Sequence, residues 1–416
     1  MHSFLSLFLC LHLLLSSALF PPVQTLSSRI LFTETQEASD ENSASASLEA
    51  QAAEHAAGIS VAAPSALLME ASTGTIIFEK DSHSARHPAS ITKIMTLILI
   101  FEALEKGSIK LTDTVTVSEH AAGMGGSQVF LEAGETQDVE TMIKCISIAS
   151  ANDACVAMAE FISGSEAAFV AEMNAKAAAL GMKDTTFVNC CGLDADGHMT
   201  SAYDVALMSR ELTVRHPQIH EYCTIWMDTM THVTAKGSKE FGLTNTNKLI
   251  RQYEYATGLK TGSTGLAKFC LSATAEKDGM ELIAVIMGAE NPKDRFGTAA
   301  ALFNYGFSKC KIFTDEHKDP LPDLSVKKGT ENELPLEYKN PFQYLSADGA
   351  DFSAIEKQIS LPDFKDAPVK KGEKIGEAVY RLGTEKIGSV DIIAAKDITQ
   401  AAFSDYMKKI FLRYFS

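Results

Sequence analysis

Apolar residues recur along the chain with two periods, one typical of strands and one typical of helices. Two apolar runs, 66–69 and 75–78, flank a turn that contains Gly74, which is typical of a β-hairpin. A second hairpin is predicted over 267–290, where two β-rich runs enclose an Asp-Gly turn. Because helices are predicted between these hairpins, the pattern indicates an α+β fold built in layers.

The first predicted helix begins near Pro88, ends at Gly107 and is apolar on every side over 97–101. A helix without a polar face must be buried, so this helix should lie inside a large domain. Two more helices are predicted within 140–164. A cluster of Ser, Asn and Asp residues at 150–153 joins them, and we expect these side chains to cap the second helix.

The C-terminal part of the chain has a different pattern. From 315 to 397 it shows little helical periodicity and many Lys, Pro and Gly turns, which predicts a small all-β domain. The last segment places six apolar residues on one helical face: Phe403, Tyr406, Met407, Ile410, Phe411 and Tyr414. Because the opposite face is polar and basic, we predict an amphipathic helix that lies in a membrane interface. The alternative is a helix docked on the β domain.

The N-terminus carries an apolar stretch over 4–15 and then small residues that suit cleavage after Ala18, which predicts a secretory signal peptide. No Lys or Arg precedes Arg29, so an uncleaved anchor or a mis-set start codon is the alternative. Residues 33–58 are acidic, rich in Ala and Ser, and contain no aromatic residue. Such a segment cannot bury enough apolar surface to order itself, which predicts a tether.

The composition of the chain limits the number of domains, the kind of partner and the kind of cross-link that it can form. With 416 residues, 46% of them apolar, the chain can form two or three domains with a large core. Its net charge of −16 argues against nucleic acid as a partner. The eight cysteines fall to seven if Cys10 leaves with the signal peptide. An odd number, with Cys190 and Cys191 adjacent, favours buried or free thiols over a disulfide framework.

The first candidate catalytic residues are Ser90 and Lys93, which lie near the N-terminus of the predicted buried helix. Side chains three residues apart on a helix share a face and can touch. A serine hydroxyl needs a base to take its proton, and burial near a helix N-terminus is expected to lower the pKa of a lysine. The same spacing recurs at Ser308 and at Ser325, but those pairs lie in exposed, lysine-rich stretches and are interpreted as coincidence.

Two further motifs follow in the sequence. Ser150-Ala151-Asn152 lies on the predicted loop between helices, where a serine can relay a proton and an asparagine amide can bind a substrate carbonyl. Helix capping would explain this tripeptide about as well. Lys260-Thr261-Gly262 precedes a predicted strand, and its charge, hydroxyl and lack of a side chain suit an anionic, extended peptide end.

These three motifs in this order resemble those of the serine-type D-alanyl-D-alanine carboxypeptidases, the low-molecular-weight penicillin-binding proteins. Five longer segments also resemble the family: "LLMEASTGTIIFEKD", "ARHPASITKIMT", "NTNKLI", "GLKTGSTG" and "LIAVIMGAENPKDR". The resemblance covers roughly 59–416. It implies a serine β-lactamase/transpeptidase-like domain, an antiparallel sheet flanked by helices, followed by a small all-β domain. It also implies no cofactor and no metal.

The resemblance also implies roles for individual residues. Ser90 would attack the bond between the two terminal D-alanines of a peptidoglycan stem peptide, with Lys93 as general base. Ser150 would pass a proton to the departing D-alanine. The predicted substrate-binding residues are Asn152, Lys260, Thr261, Gly262, Ser263 and Arg295. The backbone N–H groups of Ser90 and Ser263 would form the oxyanion hole. Ser263 stands where family members often carry histidine or tyrosine.

The resulting prediction is an exported enzyme on the outer face of the cytoplasmic membrane that binds stem peptides and is acylated by β-lactams. Its organisation would be a signal peptide over 1–18, a linker over 19–58, a catalytic domain over 59–312, a β-rich domain over 313–396 and a membrane-associating helix over 397–416.

Three alternatives stay open at this point. A β-lactamase of the same fold would need a glutamate in 185–200, which has none. A non-catalytic penicillin-binding scaffold would not need a costly buried lysine. A metal-dependent peptidase would place a glutamate between two histidines four residues apart on a helix. His216 and His220 have that spacing, but Pro217 lies between them and no glutamate does, and His198 is interpreted as a structural loop residue.

Overall fold

A computed structural model describes residues 59–415 except 235–236, 318 and 347–349, so the predicted signal peptide and linker lie outside the described residues. The strands are β1 Ser65–Glu70, β2 Ile76–Lys80, β3 Thr114–Thr116, β4 Thr136–Asp138, β5 Met227–Thr234, β6 Gly237–Thr244, β7 Ala256–Thr264, β8 Lys268–Lys277, β9 Met280–Ala289, β10 Lys311–Asp315, β11 Leu324–Lys327, β12 Glu333–Leu334, β13 Leu336–Tyr338, β14 Phe342–Ser346, β15 Ile355–Ser360, β16 Phe364–Asp366, β17 Lys374–Leu382 and β18 Glu385–Ala394.

The α-helices lie mainly in the first 310 residues. They are α1 Lys93–Glu105, α2 Glu119–Ala122, α3 Val139–Ser147, α4 Asn152–Ser163, α5 Glu166–Ala179, α6 Ala202–Arg215, α7 Ile219–Cys223, α8 Leu249–Gln252, α9 Pro292–Lys309 and α10 Phe403–Phe415. No single helix among the described residues is long and apolar enough to span a membrane. By length and composition alone, α4 and α5 could do so together, although they meet at 85°.

A five-stranded antiparallel sheet in the order β2-β1-β9-β8-β7 divides the larger part of the molecule into layers. Neighbouring residues of a strand face opposite sides, so Leu67 joins the apolar cluster of α1 and the other inner helices while Leu68 joins the cluster of α9. The sheet is therefore covered by helices on both faces, and the predicted α+β architecture is confirmed.

Both predicted hairpins are present, and left-handed turn residues explain their positions. Gly74 has φ +73° between β1 and β2, while Asp278 and Gly279 have φ +51° and +76° between β8 and β9. Two consecutive positive φ angles are the requirement of a two-residue type I′ turn, which Asp-Gly meets at low cost. Local sequence therefore determines where the sheet folds back on itself.

The predicted buried helix is also present, but it begins with a different type of turn. Residues Ala89–Thr92 form a 3₁₀ turn, and α1 continues from Lys93 with a buried surface on all sides. Gly107, at φ +70°, follows the last turn of α1, as expected for a residue that ends a helix. Ser90 therefore lies on the tighter 3₁₀ turn just before the α-helix.

The prediction that polar side chains at 150–153 cap the second helix is wrong. The N-cap of α4 is Ala151, which offers no side-chain oxygen. Asn152 and Asp153 turn their side chains into tertiary contacts instead, because both are buried beside partners from distant parts of the chain. Ser150 has φ +61°, which breaks the helical path between α3 and α4.

The C-terminal part contains three small sheets, β10-β14, β12-β11-β16 and β13-β18-β17-β15, as the prediction of an all-β region requires. Helix α10 starts at Phe403, six residues after the predicted bound at 397. The intervening residues belong to the β-rich part, because Ile398 forms a bridge with Val369 and the Ala401 N–H donates to Lys328 O.

Candidate active site

A cluster of hydrogen-bonding groups lies between the sheet and the helical layer, with Lys93 at its centre. Lys93 is fully buried. Its Nζ donates hydrogen bonds to Ser90 Oγ at 3.0 Å, to Asn152 Oδ1 at 2.6 Å and to the Cys191 carbonyl at 2.6 Å. The first two predicted motifs are thus joined through a single amine, since Asn152 belongs to the second.

The third motif enters the cluster from β7. Lys260 Nζ donates to Ser150 Oγ at 2.9 Å and to the Thr261 carbonyl at 3.1 Å. Burial, reinforced by the neighbouring charge of Lys93, holds the pKa of Lys260 well below its usual range. Thr261 Oγ1 lies 2.7 Å from Thr246 Oγ1. The structure therefore forms two neighbouring hydrogen-bonded groups, one that joins Ser90 and Asn152 through Lys93 and one that joins Ser150 to Lys260. The two lysines lie close enough for the charge of Lys93 to act on Lys260.

Gly262 brings β7 against the turn that carries Ser90. A Cβ at this position would lie 2.9 Å from the Pro88 carbonyl oxygen and 3.1 Å from the Ile91 nitrogen. Only glycine permits this approach without displacement of the backbone. Ser263, the next residue, is exposed at the edge of the sheet. The approach leaves the half-buried Ser90 beside the free edge of β7.

Arg295 lies behind this edge, on α9. Its Nη1 donates to the carbonyls of Gly262 at 3.0 Å and Cys270 at 3.2 Å, which anchors the strand that carries the third motif. Burial lowers the pKa of Arg295. Its guanidinium also packs over the rings of Phe269 and Phe296. These contacts anchor β7, and the predicted role of Arg295 in substrate binding stays a prediction.

The sequence analysis missed the segment 189–192, which supplies the floor of the cluster. The Cys191 carbonyl holds Lys93, and the Cys190 carbonyl accepts from Thr96 Oγ1 at 2.6 Å. A Cβ at Gly192 would lie 1.8 Å from the Ala89 carbonyl oxygen, so this position requires glycine. Main-chain acceptors leave no signal in side-chain identity, and the lone glycine after two cysteines was the available clue.

The cysteine and histidine predictions can be compared with the structure directly. All seven described cysteines are buried, and six of them, all except Cys310, are free thiols, as predicted. His198 is structural, because its Nε2 lies 2.8 Å from Thr92 Oγ1 and its Nδ1 accepts from the Val188 N–H at 2.9 Å. His220 contacts the Thr257 carbonyl and Glu281. Within the described ranges, no group of three or more His, Cys, Asp or Glu side chains is arranged to hold a metal ion.

Comparison with known proteins gives the same family for both parts of the chain. Residues 49–291 match the family model described as D-alanyl-D-alanine carboxypeptidase, and 307–400 match the C-terminal domain of penicillin-binding protein 5. The carboxypeptidase DacF of Bacillus subtilis (strain 168) is 42% identical over 83% of this chain and 88% of its own length. DacC of Escherichia coli (strain K12) is 31% identical over 83% and 86% of the two chains.

Solved structures agree with this result. Penicillin-binding protein 5 from Haemophilus influenzae superposes with a TM-score of 0.68 at 28% identity, covering 82% of this chain and 99% of that chain. The family models, the relatives and the solved structure therefore all identify the family that the three motifs resemble. The chain belongs to the serine D-alanyl-D-alanine carboxypeptidase family, with the catalytic fold and the β-rich C-terminal domain of the penicillin-binding protein 5 type.

Proposed function

We propose that this enzyme removes the terminal D-alanine from peptidoglycan stem peptides through an acyl-enzyme on Ser90. The observation that carries the proposal is the set of partners of Lys93 Nζ. Two of the three, Asn152 Oδ1 and the Cys191 carbonyl, can only accept hydrogen bonds. These two acceptors hold two of the Nζ hydrogens, and the third position on Nζ faces Ser90 Oγ, 3.0 Å away, which is where a deprotonated amine would take the proton of the hydroxyl. Lys93 is thereby oriented as the base for Ser90.

Acylation follows from this geometry. Ser90 Oγ attacks the carbonyl of the penultimate D-alanine while its proton passes to Lys93. The backbone N–H groups of Ser90 and Ser263 receive the developing oxyanion. Because Lys260 donates to Ser150 Oγ, the hydroxyl hydrogen of Ser150 is free to be given to the departing nitrogen. The C–N bond breaks, free D-alanine leaves, and Ser90 is left as an ester.

Water then attacks the ester, with Lys93 as the base, and releases the shortened peptide. A β-lactam carries a strained amide in place of the peptide bond, so the same attack leaves a covalent adduct whose amine cannot diffuse away. Thr261 receives the terminal carboxylate, since a hydroxyl at the edge of β7 with the amine of Lys260 behind it is suited to an anionic peptide end. Acyl-enzyme formation therefore explains both hydrolysis and penicillin binding.

The test is intact-mass analysis of the full chain after incubation with benzylpenicillin, together with release of D-alanine from diacetyl-Lys-D-Ala-D-Ala. We expect one adduct and hydrolysis in the wild type, and neither in Ser90→Ala. The matched control is Ser308→Ala, because Ser308 has the same spacing to a lysine but is exposed at the end of α9. An adduct in Ser90→Ala would contradict the assignment, and an adduct without D-alanine release would indicate a scaffold or a lactamase.

The predicted export and membrane association are part of the same proposal. Support comes from α10, whose apolar face is exposed at Phe403 (81%), Tyr406 (43%), Met407 (50%) and Ile410 (55%). A helix docked on the β domain would bury such a face, whereas a helix that lies in a lipid interface presents it outward. A substrate in the cell wall requires the active site to lie outside the cytoplasmic membrane.

A further inference from the structure

The proposed oxyanion hole draws its two N–H donors from different elements. Ser90 belongs to the 3₁₀ turn before α1, whereas Ser263 belongs to β7, a strand at the edge of the five-stranded sheet. An oxyanion hole stabilises the transition state only when both donors lie within hydrogen-bond distance of the same oxygen. Contacts between these two elements must therefore hold the two N–H groups at a fixed separation.

Ser263 lies between two anchored neighbours on β7. Gly262, before it, packs against the turn at the start of α1. Thr264, after it, donates its hydroxyl to Asp194 Oδ1 at 2.7 Å, and the same hydroxyl accepts the N–H of Ala267 at 3.0 Å. A carboxylate oxygen can only accept, so the direction of the first of these hydrogen bonds is fixed. The end of β7 is therefore tied to Asp194.

Asp194 belongs to a loop that also touches the other donor. Two residues earlier in this loop, Gly192 lies against the turn before α1. A Cβ on Gly192 would fall 1.8 Å from the Ala89 carbonyl oxygen and 2.9 Å from the Ser90 nitrogen. From Gly192 to Asp194 the backbone spans at most about 7 Å. One short segment, 192–194, therefore contacts the first donor residue at one end and the neighbour of the second donor residue at the other.

The side chain of Asn189 holds this segment in one conformation. Its Oδ1 accepts the N–H groups of Gly192 at 2.7 Å and of Leu193 at 3.2 Å, and its Nδ2 donates to the Leu193 carbonyl at 2.9 Å. A backbone whose N–H and carbonyl groups are bound by one side chain has little freedom to change its length. Segment 192–194 is therefore a spacer of fixed length that ends in the carboxylate of Asp194.

We propose that Asp194 is a positioning residue for the oxyanion hole. Through its hydrogen bond to Thr264, the spacer 192–194 sets the distance between the N–H groups of Ser90 and Ser263. This inference rests on the proposed carboxypeptidase function and concerns the same site. Asp194 acts through Thr264 and takes no part of its own in the bond-breaking steps.

The experiment measures the rate constant of acylation by benzylpenicillin, and kcat and KM for release of D-alanine from diacetyl-Lys-D-Ala-D-Ala. Asp194→Ala and Thr264→Val each remove one side of the hydrogen bond. We expect each to lower the acylation rate constant and kcat by about tenfold, because a displaced donor loses much of its effect on the transition state. KM should change by less than about twofold, since the oxyanion is absent from the bound ground state.

The double variant distinguishes one shared contact from two independent losses. If both side chains act through one hydrogen bond, Asp194→Ala combined with Thr264→Val should lose no more than either single variant. Asp194→Asn keeps an oxygen that accepts from Thr264, and Thr264→Ser keeps the hydroxyl. Both conservative variants should therefore stay within about threefold of the wild type, which a general loss of structure would not explain.

Asp196→Ala is the matched control, because Asp196 is an exposed carboxylate two residues further along the same loop. It should keep the rates of the wild type. Unchanged rates in Asp194→Ala, or a double variant about a hundredfold slower than the wild type, would overturn the spacer. If the wild type neither forms an adduct nor releases D-alanine, the proposed function itself fails, so the two failures are distinguishable.

Discussion

Two buried lysines, Lys93 and Lys260, determine the character of the site at the residue scale. Every hydrogen-bond partner that the described residues offer to these two amines is a neutral oxygen. Burying a cation without a carboxylate is costly, and folded proteins keep such groups where chemistry requires them. For Lys260 the consequence is a lowered pKa, caused by burial and then by the charge of Lys93.

His198 leads to a prediction about pH. Burial, with a smaller contribution from the charge of His87, lowers its pKa to about 4 from the ordinary 6.5. The unfolded chain therefore binds a proton between these values that the folded chain does not bind, so the free energy of unfolding should fall as pH drops from 6.5 to 4. A shift of this size corresponds to about 3 kcal/mol.

The measurement is urea denaturation at several pH values between 4 and 7 for the wild type and His198→Gln. Glutamine keeps polar atoms near Thr92 and Val188 but does not titrate, so the variant should lose about 3 kcal/mol of this pH dependence. His83→Gln, which replaces an exposed histidine, is the matched control. An identical pH profile in His198→Gln would contradict the assignment.

At the scale of elements, the loop at 189–192 positions the turn that precedes α1. We predict that Gly192→Ala lowers the free energy of unfolding by about 3 kcal/mol, because it adds a clash with Ala89 to the cost of a positive φ. The displaced turn carries Ser90, so the rate of acylation by benzylpenicillin should also fall sharply. Denaturation in urea and the time course of adduct formation measure the two effects.

Gly197→Ala provides the control for this prediction. Gly197 has φ +79°, close to the +88° of Gly192, but nothing lies within 4 Å of the added Cβ. It should lose only about 1 kcal/mol and keep its rate of acylation. If Gly192→Ala and Gly197→Ala lose the same free energy of unfolding and acylate at the same rate, the turn at Ala89 can move without cost. The close approach of Gly192 to that turn would then not position Ser90.

At the scale of the whole molecule, membrane binding through α10 and catalysis in the larger part of the chain should be separable. We predict that truncation after Ala402 lowers binding to anionic lipid vesicles by at least about tenfold, because it removes the exposed apolar face of α10. Release of D-alanine from a soluble peptide should not change. Truncation six residues earlier, after Lys396, would also remove Ile398, which is buried in the β-rich part, so a loss of stability would obscure the effect on membrane binding.

Co-sedimentation with vesicles measures this prediction. Ile410→Asp in the full chain should weaken binding without shortening the protein, whereas Ser404→Ala on the polar face should not. Undiminished binding of the truncated chain would indicate that α10 is not the anchor, and would direct attention to the N-terminal segment instead.

The sequence by itself determined the hairpins, the buried helix, the β-rich C-terminal region and the three motifs. These features depend on the period of apolar residues, on turn chemistry and on side-chain identity, which are local. Only the tertiary structure decided which groups hold Lys93, since Cys191 is 98 positions away and contributes a carbonyl rather than a side chain. It likewise showed that Asp153 binds the N–H groups of Val129 and Leu131 instead of capping a helix, because a buried carboxylate must satisfy its oxygens with whichever N–H groups folding brings near.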